Sequence, residues 1–438
     1  MLNKIALRNV LSHWRQSLAA LLSISAAFFC LVIFQGYMLD VERLYWDGYR
    51  NRSMYGDVIL ENREATSVQA QSEPWRFELD EKDQELIGAY LNAEGASQVQ
   101  EHVRFLNFSG LVTTGISSKI FLAQAFDLDR GERMREQWSW NVLYGKPLHK
   151  AVDENPLLVG QSLGFQLGCE PEKKEYSLLP EGGYKPVLRP FNCRRPDVQL
   201  SVTTESGNLN AMDFTIVGLM DSGYKDLDSR YLTLPLPLAQ QLLNTKKLSY
   251  WSVKLKPGVS VSSWIDGMNR QFQNKAPHLH AIAWQDHRLG EMYLKTMSLL
   301  NIFRNFVTIV VAFISVLSVT NTMFKIVKER TREIGTLLSL GFQRSQVLSI
   351  FLREALFLSL IGCICGALLA LGVTAVVNNA SITYKAGVLS EPALFRIMTN
   401  LDLYVVALAL LMLVTVVTSY VSCRSTVQRK IVDCLGHV

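Results

Sequence analysis

Four long apolar runs, almost free of charged residues, interrupt an otherwise mixed sequence of 438 residues. About 20 consecutive apolar residues cross the hydrocarbon core of a bilayer as a helix. The runs therefore predict membrane-spanning helices over 17–39, 301–324, 355–384 and 403–423. The first run is too long for a signal peptide and has no small-residue cleavage pattern near Asp40. We interpret it as a retained span.

The segment 40–300 has the pattern of a globular domain, because short alternating or β-rich runs are mixed with helical periodicity. Strand-like runs are found at 57–60, 108–116, 120–126, 214–219, 231–234 and 250–255, and helical patterns at 81–91, 237–243 and 261–272. A Pro- and Gly-rich stretch over 169–195 predicts a surface insertion. The predicted fold is a four-helix membrane protein with a large α+β domain between the first and second spans.

Lys and Arg near the span ends predict the orientation. The N-terminal stretch 1–16, the link 325–354 and the tail 424–438 are basic, whereas the loop 385–402 contains only Lys385 and Arg396. The basic segments are therefore expected in the cytoplasm. The large domain and the short loop are expected on the opposite side.

The stretch 1–16 is also amphipathic, because one face can hold Leu2, Ile5, Val10, Leu11 and Trp14. This pattern favours a helix lying in the membrane interface. A disordered basic tail is the alternative.

The overall composition excludes few functions. The chain is 49% hydrophobic and 19% charged, with a formal net charge of +5. A nucleic-acid-binding protein would show a clustered basic run, and the sequence has none. No nucleic-acid partner is expected.

Motifs for catalysis and metal binding are missing from the sequence. It contains no Gly-x-Ser-x-Gly, His-Glu-x-x-His or Cys-x-x-Cys pattern and no Walker A motif, so neither catalysis nor ATP binding is expected of this chain. Two weak candidates for metal binding are His278, His280 and His287, and Asp221, Asp226 and Asp228. Surface histidines and a solvated turn are the favoured interpretations. Trp138, Trp140 and Tyr144 are expected in a core.

Two cysteines, Cys169 and Cys193, lie in the globular segment. In an oxidising compartment they would form a disulfide. Two free thiols remain the alternative.

The link 325–354, KIVKERTREIGTLLSLGFQRSQVLSIFLRE, predicts two helices. The first ends at Gly341, and the second begins near Ser345 as N-cap and continues into the third span. Ile334, Leu337 and Leu338, together with Gly341, predict an apolar tip. The expected charged rim consists of Arg330, Arg332, Glu333 and Arg344. Such a helix suits docking into a groove of a partner protein. A basic helix lying on lipid is the alternative.

The third span carries Gly362 and Gly366 at a spacing that allows close helix approach. We expect them at a dimer or intrabundle contact, with simple span packing as the alternative. The central parts of the spans contain no charged residue. This argues against ion-coupled transport.

The link resembles the permease domain shared by MacB, LolC/LolE and FtsX. The resemblance depends on the run ERTREIG from Glu329 to Gly335, on Leu340-Gly341 and on Glu354-Ala355. The motif LRNVL at 7–11 agrees with it, as do, more loosely, the segments 158–164 and 214–218. The sequence departs from the family pattern after Gly168, where the longer insertion begins.

The resemblance implies a permease subunit of a MacB/LolCDE-like ABC transporter, itself not an enzyme. A separate ATPase subunit would bind ATP and magnesium. The permease would couple hydrolysis to export or extraction of a lipoprotein, lipid, peptide or hydrophobic compound by mechanotransmission. The alternative is an FtsX-like regulator that activates an envelope hydrolase.

The resemblance also implies partners and a location. The partners are an ABC ATPase, a second permease copy or paralogue forming a dimer, the lipid bilayer, and a periplasmic adaptor with an outer-membrane channel or lipoprotein acceptor. The location is the inner membrane, with both termini in the cytoplasm and the large domain in the periplasm. The coupling helix would contact the ATPase through Arg332, Glu333, Ile334, Gly335, Leu337, Leu338 and Gly341.

Overall fold

The structure is a computed structural model that describes residues 14–93, 95–173, 178–179, 183–385 and 391–428. Residues 1–13 of the predicted interfacial helix, residues 386–390 of the short loop and residues 429–438 of the tail lie outside the described residues.

The chain alternates long helices with a block of short helices and strands. The α-helices are α1 (Trp14–Asp47), α2 (Val68–Ser72), α3 (Glu81–Asn92), α4 (Leu128–Arg135), α5 (Gln161–Gln166), α6 (Lys225–Asp228), α7 (Leu236–Leu243), α8 (Val261–Lys275), α9 (Glu291–Glu329), α10 (Thr331–Ser339), α11 (Arg344–Ala380) and α12 (Leu401–Val427). The strands are β1 (Val58–Asn62), β2 (Val99–Thr113), β3 (Ser118–Phe126), β4 (Tyr144–Gly145), β5 (Pro156–Gly160), β6 (Cys169–Pro171), β7 (Phe191–Cys193), β8 (Asp197–Thr203), β9 (Leu209–Met220), β10 (Tyr231–Pro235), β11 (Tyr250–Leu255), β12 (Leu279–Ala283), β13 (Thr383–Tyr384) and β14 (Ala393–Leu394).

Four helices in the described part of the chain are long and apolar enough to cross a membrane: α1, α9, α11 and α12. The predicted four-helix membrane protein is therefore confirmed. Two of these helices extend well beyond the apolar runs. α9 already begins at Glu291, and α11 already begins at Arg344. Apolar composition marks only the part of a helix suited to lipid, whereas backbone hydrogen bonding continues past it.

The chain forms two compact units. Among the described residues, the membrane unit comprises residues 14–42, 297–382 and 395–428. The inserted domain comprises residues 43–296 and 383–394.

In the membrane unit, α1 packs closely on the glycine pair of α11. A Cβ atom added at Gly366 would lie 2.7 Å from the carbonyl oxygen of Ser25 and 2.9 Å from the Cβ of Phe28. At Gly362 it would lie 2.9 Å from the Cβ of Ile24. The Ser25 hydroxyl donates a hydrogen bond to the Gly362 carbonyl at 2.8 Å. Of the contacts proposed for these glycines, the structure contains the intrabundle one.

The inserted domain is built on one mixed sheet, which has ten strands among the described residues. The strand order is β12-β1-β11-β2-β3-β10-β5-β9-β4, and β8 pairs with both β2 and β9. β3 runs parallel to β10 and β5 parallel to β9, while the other pairs are antiparallel. α3, α7 and α8 contribute side chains to its core. This arrangement confirms the predicted α+β class.

Of the six predicted strands, four begin and end within two residues of their predicted positions, but β9 begins five residues before the run 214–219 and β2 nine residues before the run 108–116. Val103, Phe105 and Leu106 on its early part are fully buried, together with the polar His102. A strand covered on both faces does not show the alternation by which strands are recognised in a sequence. Trp138, Trp140 and Tyr144 are buried, as predicted.

The predicted surface insertion forms a small hairpin of β6 and β7. Cys169 and Cys193 are directly opposite each other in this pair, and the structure joins them by a disulfide. The cross-link closes a loop with a sequence separation of 24 residues. It ties the outgoing arm of the insertion to its returning arm.

Replacing both Cys169 and Cys193 by serine is expected to lower the free energy of unfolding of the inserted domain by about 2–4 kcal/mol, because a cross-link restricts the unfolded chain. Thermal unfolding of the purified full chain, followed by tryptophan fluorescence, measures the loss. Cys30→Ser, at an exposed cysteine of α1, is the control. Unchanged stability, or two free thiols in non-reducing peptide mass spectrometry, would contradict the cross-link.

Gly366→Leu is expected to lower the melting temperature of the membrane unit by several degrees, since a side chain there overlaps the backbone of α1. The matched control is Gly372→Leu on the same helix, where an added Cβ meets no atom within 4 Å. Thermal unfolding in detergent compares the two variants. Equal melting temperatures would show that the α1–α11 contact is not tight.

Candidate functional site

The candidate site is the helical link between α9 and α11. α9 ends at Glu329, Arg330 leaves helical geometry with ψ 16°, and α10 follows at once. Gly341 has φ +92°, a left-handed conformation that favours glycine. The predicted helix stop at this glycine agrees with that geometry.

The start of α11 differs from the prediction by two residues. The N-cap is Gln343, not Ser345, and its side chain forms a capping box with Gln346. The backbone N–H of Gln343 donates to the side-chain oxygen of Gln346 at 2.9 Å. The two glutamines, three residues apart, pair with backbone N–H groups at the start of the helix that have no partner within the helix, as a serine N-cap would.

The apolar side of α10 faces the chain itself. Ile334 is fully buried in a cluster with Val327, Val347, Phe351 and Cys423. Leu337 and Leu338 are half-buried and pack against the same cluster, and Gly335 is buried. Ile334, predicted for the docking tip, lies in this intramolecular core, and Gly335, predicted to contact the ATPase, is also buried, so both predictions are corrected.

The opposite side of α10 is open. Arg332 and Thr336 are exposed, and Glu333 is half-buried. Leu340, directly after the helix, is 72% exposed, although it is a large apolar residue. The sequence argument did not assign Leu340 to the tip, because exposure depends on which side of the short helix packs.

Arg330 is buried, so its predicted place in the charged rim is wrong. Its Nη1 donates to Oε1 of Glu354 on α11 at 2.5 Å, and its Nε donates to Oε2 of Glu333 at 2.8 Å. The guanidinium also lies over the ring of Phe351, 4.9 Å from the centroid. Arg330 and Glu354 are each 4% exposed. The helix break at Arg330 turns this side chain towards α11.

Such a buried pair fixes geometry more than it adds stability. Two charges removed from water must satisfy each other, and loss of one partner costs about 3–5 kcal/mol. The arginine holds two carboxylates, one on α10 and one on α11, and stacks on an aromatic ring. α10 is therefore tied to α11 by directional contacts as well as by apolar packing.

In the inserted domain, the three candidate histidines do not converge on one point. His278 lies 2.9 Å from Asp83, whereas the Nε2 atoms of His280 and His287 lie 3.2 Å and 3.0 Å from one oxygen of Glu61. Burial opposes the charge on Glu61, but the hydrogen bond with His280 and the nearby His287 ring outweigh it and keep its pKa below the ordinary value. Among the described residues, no group of three or more His, Cys, Asp or Glu side chains is placed to hold a metal ion.

The acidic stretch around 221–228 is also not the solvated turn that the sequence suggested. Asp221 is buried and pairs with Arg52 at 2.7 Å, and it accepts a hydrogen bond from the Tyr184 hydroxyl at 2.6 Å. Asp228 is buried as well, and its Oδ2 accepts from the backbone N–H of Ser162 at 2.6 Å. Both carboxylates connect segments that are far apart in sequence, which a local motif cannot reveal.

The C-terminal part of the chain matches a known family. Residues 305–431 match the FtsX-like permease C-terminal domain, a range that contains the link and α11. Over 246 residues the chain is 36% identical to the ABC transporter permease YtrF of Bacillus subtilis, covering 52% of this chain and 56% of that protein.

A second relative matches a shorter stretch. Over 90 residues the chain is 37% identical to the macrolide export ATP-binding/permease protein MacB of Agrobacterium fabrum, covering 20% of this chain and 14% of that protein. The chain thus spans at most about half of the length of these relatives. The solved periplasmic region of MacB from Actinobacillus actinomycetemcomitans aligns with 56% of this chain and 92% of its own, with 10% identity and a TM-score of 0.32.

The family match covers the three C-terminal spans and the link, where the residues of the candidate site lie. Both sequence relatives are named as permeases: YtrF is an ABC transporter permease, and MacB is an ATP-binding/permease protein. Together with the four spans, these findings show that the chain carries an FtsX-like permease C-terminal domain over residues 305–431 and is similar to ABC transporter permeases.

Proposed function

We propose that this chain is the membrane subunit of an ATP-driven exporter or extractor, and that a separate ATPase subunit docks on the exposed side of α10. The observation that carries the proposal is the orientation of this helix. Its apolar side is held by the chain's own core, and Leu340 and Arg332 are both exposed to solvent. A partner would contact Leu340, directly after the helix, together with the polar residues of the exposed side of α10.

The buried Arg330–Glu354 pair supports a role in coupling. A force on α10 would pass to α11 through a bond between two side chains that water does not screen. Because α11 continues from the link into a membrane span, a movement of the docked ATPase would be transmitted into the bundle.

The proposed location is the inner membrane, with the link and both termini in the cytoplasm and the inserted domain in the periplasm. The proposed assembly is a dimer of this chain with itself or a paralogue. Clients would be lipoproteins, lipids, peptides or hydrophobic compounds. The MacB relative is named for macrolide export, and this name supports export as the activity.

The test is purification of the tagged full chain in mild detergent, followed by mass spectrometry of the retained proteins. A co-purified ATPase with ATP hydrolysis that depends on this chain is the expected result. A retained envelope hydrolase without any transported client would instead favour an FtsX-like regulator. Absence of an ATPase in several detergents would overturn the coupling proposal.

Leu340→Asp is expected to weaken ATPase association at least tenfold, since it places a charge at the centre of the proposed contact. A tenfold loss corresponds to about 1.4 kcal/mol. Val68→Asp, at an exposed apolar residue of the inserted domain, is the matched control. Titration of the purified ATPase onto nanodisc-bound variants measures the affinity. Equal affinity of the two variants would exclude this side of α10 from the interface.

The double variant Arg330→Met with Glu354→Met is expected to keep the ATPase bound but to lose most of the stimulation of ATP hydrolysis by a client. Apolar residues of similar volume often replace a buried ion pair without loss of stability. Affinity and client-stimulated hydrolysis are measured on the same samples. Stimulation at the wild-type level would show that the pair is structural only.

A further inference from the structure

The inserted domain has an open cavity of about 330 Å³ at the point where β9 changes its partner strand. β8 pairs with β9 as far as Thr215, and β4 pairs with it from Gly218. Between these two pairings, the Ile216 N–H donates to the Pro196 carbonyl at 2.9 Å and the Lys146 N–H donates to the Val217 carbonyl at 3.0 Å, so the cavity lies beside a strand that stays paired. The cavity is lined by Gly145, Lys146, Asp153, Leu188, Arg189, Pro190, Phe191, Thr215, Ile216 and Val217.

One wall of the cavity is the returning arm of the cross-linked insertion. Phe191 is the first residue of β7, and β7 is joined to β6 through Cys193. Gly145 has φ +82°, and a Cβ atom there would lie 2.7 Å from the ring of Phe191 and 2.3 Å from the carbonyl oxygen of Val217. The glycine lets this wall approach the sheet, and the disulfide restrains it.

Arg189, in this wall, is a buried cation that the fold does not neutralise. The residue is 9% exposed, and its Nη1 donates to the carbonyl of Leu143 at 3.2 Å. Its Nη2 is buried without a hydrogen-bond partner. Within the described ranges, the Arg189 side chain forms no ion pair with a carboxylate. A buried guanidinium is costly unless an acceptor compensates it.

The rest of the lining defines what such an acceptor would be. Lys146 at the rim adds a second cation, and Asp153 is the one carboxylate of the lining, which leaves one net positive charge. Leu188, 60% exposed, and Phe191 provide apolar surface. A cavity of this volume is at the small end of ligand sites, so it does not fit a whole lipid or a folded protein.

We propose that this cavity binds a small monoanion with an apolar body, namely a carboxylate whose charge compensates Arg189 and whose aliphatic or aromatic part lies against Leu188 and Phe191. A carboxylate matches the single net positive charge better than a phosphate dianion does. The site is in the inserted domain and does not depend on the link or on an ATPase, so it stands independently of the proposed function.

The test is isothermal titration of hexanoate, hexyl phosphate and hexylamine into the full chain in nanodiscs, with empty nanodiscs as the blank. Saturable binding of hexanoate, with binding of the phosphate weaker and of the amine undetectable, is the expected result. Tighter binding of hexyl phosphate would overturn the assignment to a carboxylate. Absence of saturable hexanoate binding, or equal binding of the amine, would overturn the site.

Arg189→Gln is expected to reduce hexanoate affinity at least tenfold. The matched control is Arg195→Gln, at an exposed arginine of the same segment that is not part of the lining. If Arg189→Gln does not fold, Lys146→Gln and Leu188→Asp at exposed positions of the rim are each expected to weaken binding severalfold. Wild-type affinity in a folded Arg189→Gln variant, or in both rim variants, would refute the proposal.

Discussion

The buried ion pair between Arg330 and Glu354 fixes the orientation of α10 in the link between α9 and α11. An arginine that leaves water requires partners, and it finds two carboxylates, one on α10 and one on α11. α10 therefore has a defined orientation, with its apolar side closed against α11 and α12 residues. Only this orientation leaves Leu340 and Arg332 open to a partner.

Ionic bonds of the same kind recur in the inserted domain. Lys254 is 1% exposed, and its ammonium donates to Asn51 and Glu136 at 2.6 Å each. Asp221 pairs with Arg52, the last residue of the short helical segment Gly48–Arg52 that follows α1. These contacts attach residues 51–52 to the sheet by directional bonds. Arg189 is different, because no carboxylate of the described residues neutralises its guanidinium. We therefore assign its counter-ion to a bound anion.

The membrane and domain layout could be predicted because its signals are local. An apolar run of 20 residues needs no tertiary partner to indicate a span, and β11 alternates clearly enough to be placed at its observed bounds, Tyr250–Leu255. The inward side of the link could not be predicted. Ile334 and Leu340 are both apolar residues in a short amphipathic segment, and nothing local states which of them faces the core. Arg330 shows the same limit, since a basic residue near a membrane is normally assigned to the surface.

The sequence by itself determined the number of spans, the class and position of the inserted domain, the glycine break after α10 and the family of the C-terminal spans. Each of these depends on composition, on period or on a single conformational preference. Only the tertiary structure decided which charges are buried, which side of α10 is free, and where the sheet leaves a cavity beside Arg189. These features arise from residues far apart in the chain, whose burial is a property of the packed fold and not of any segment.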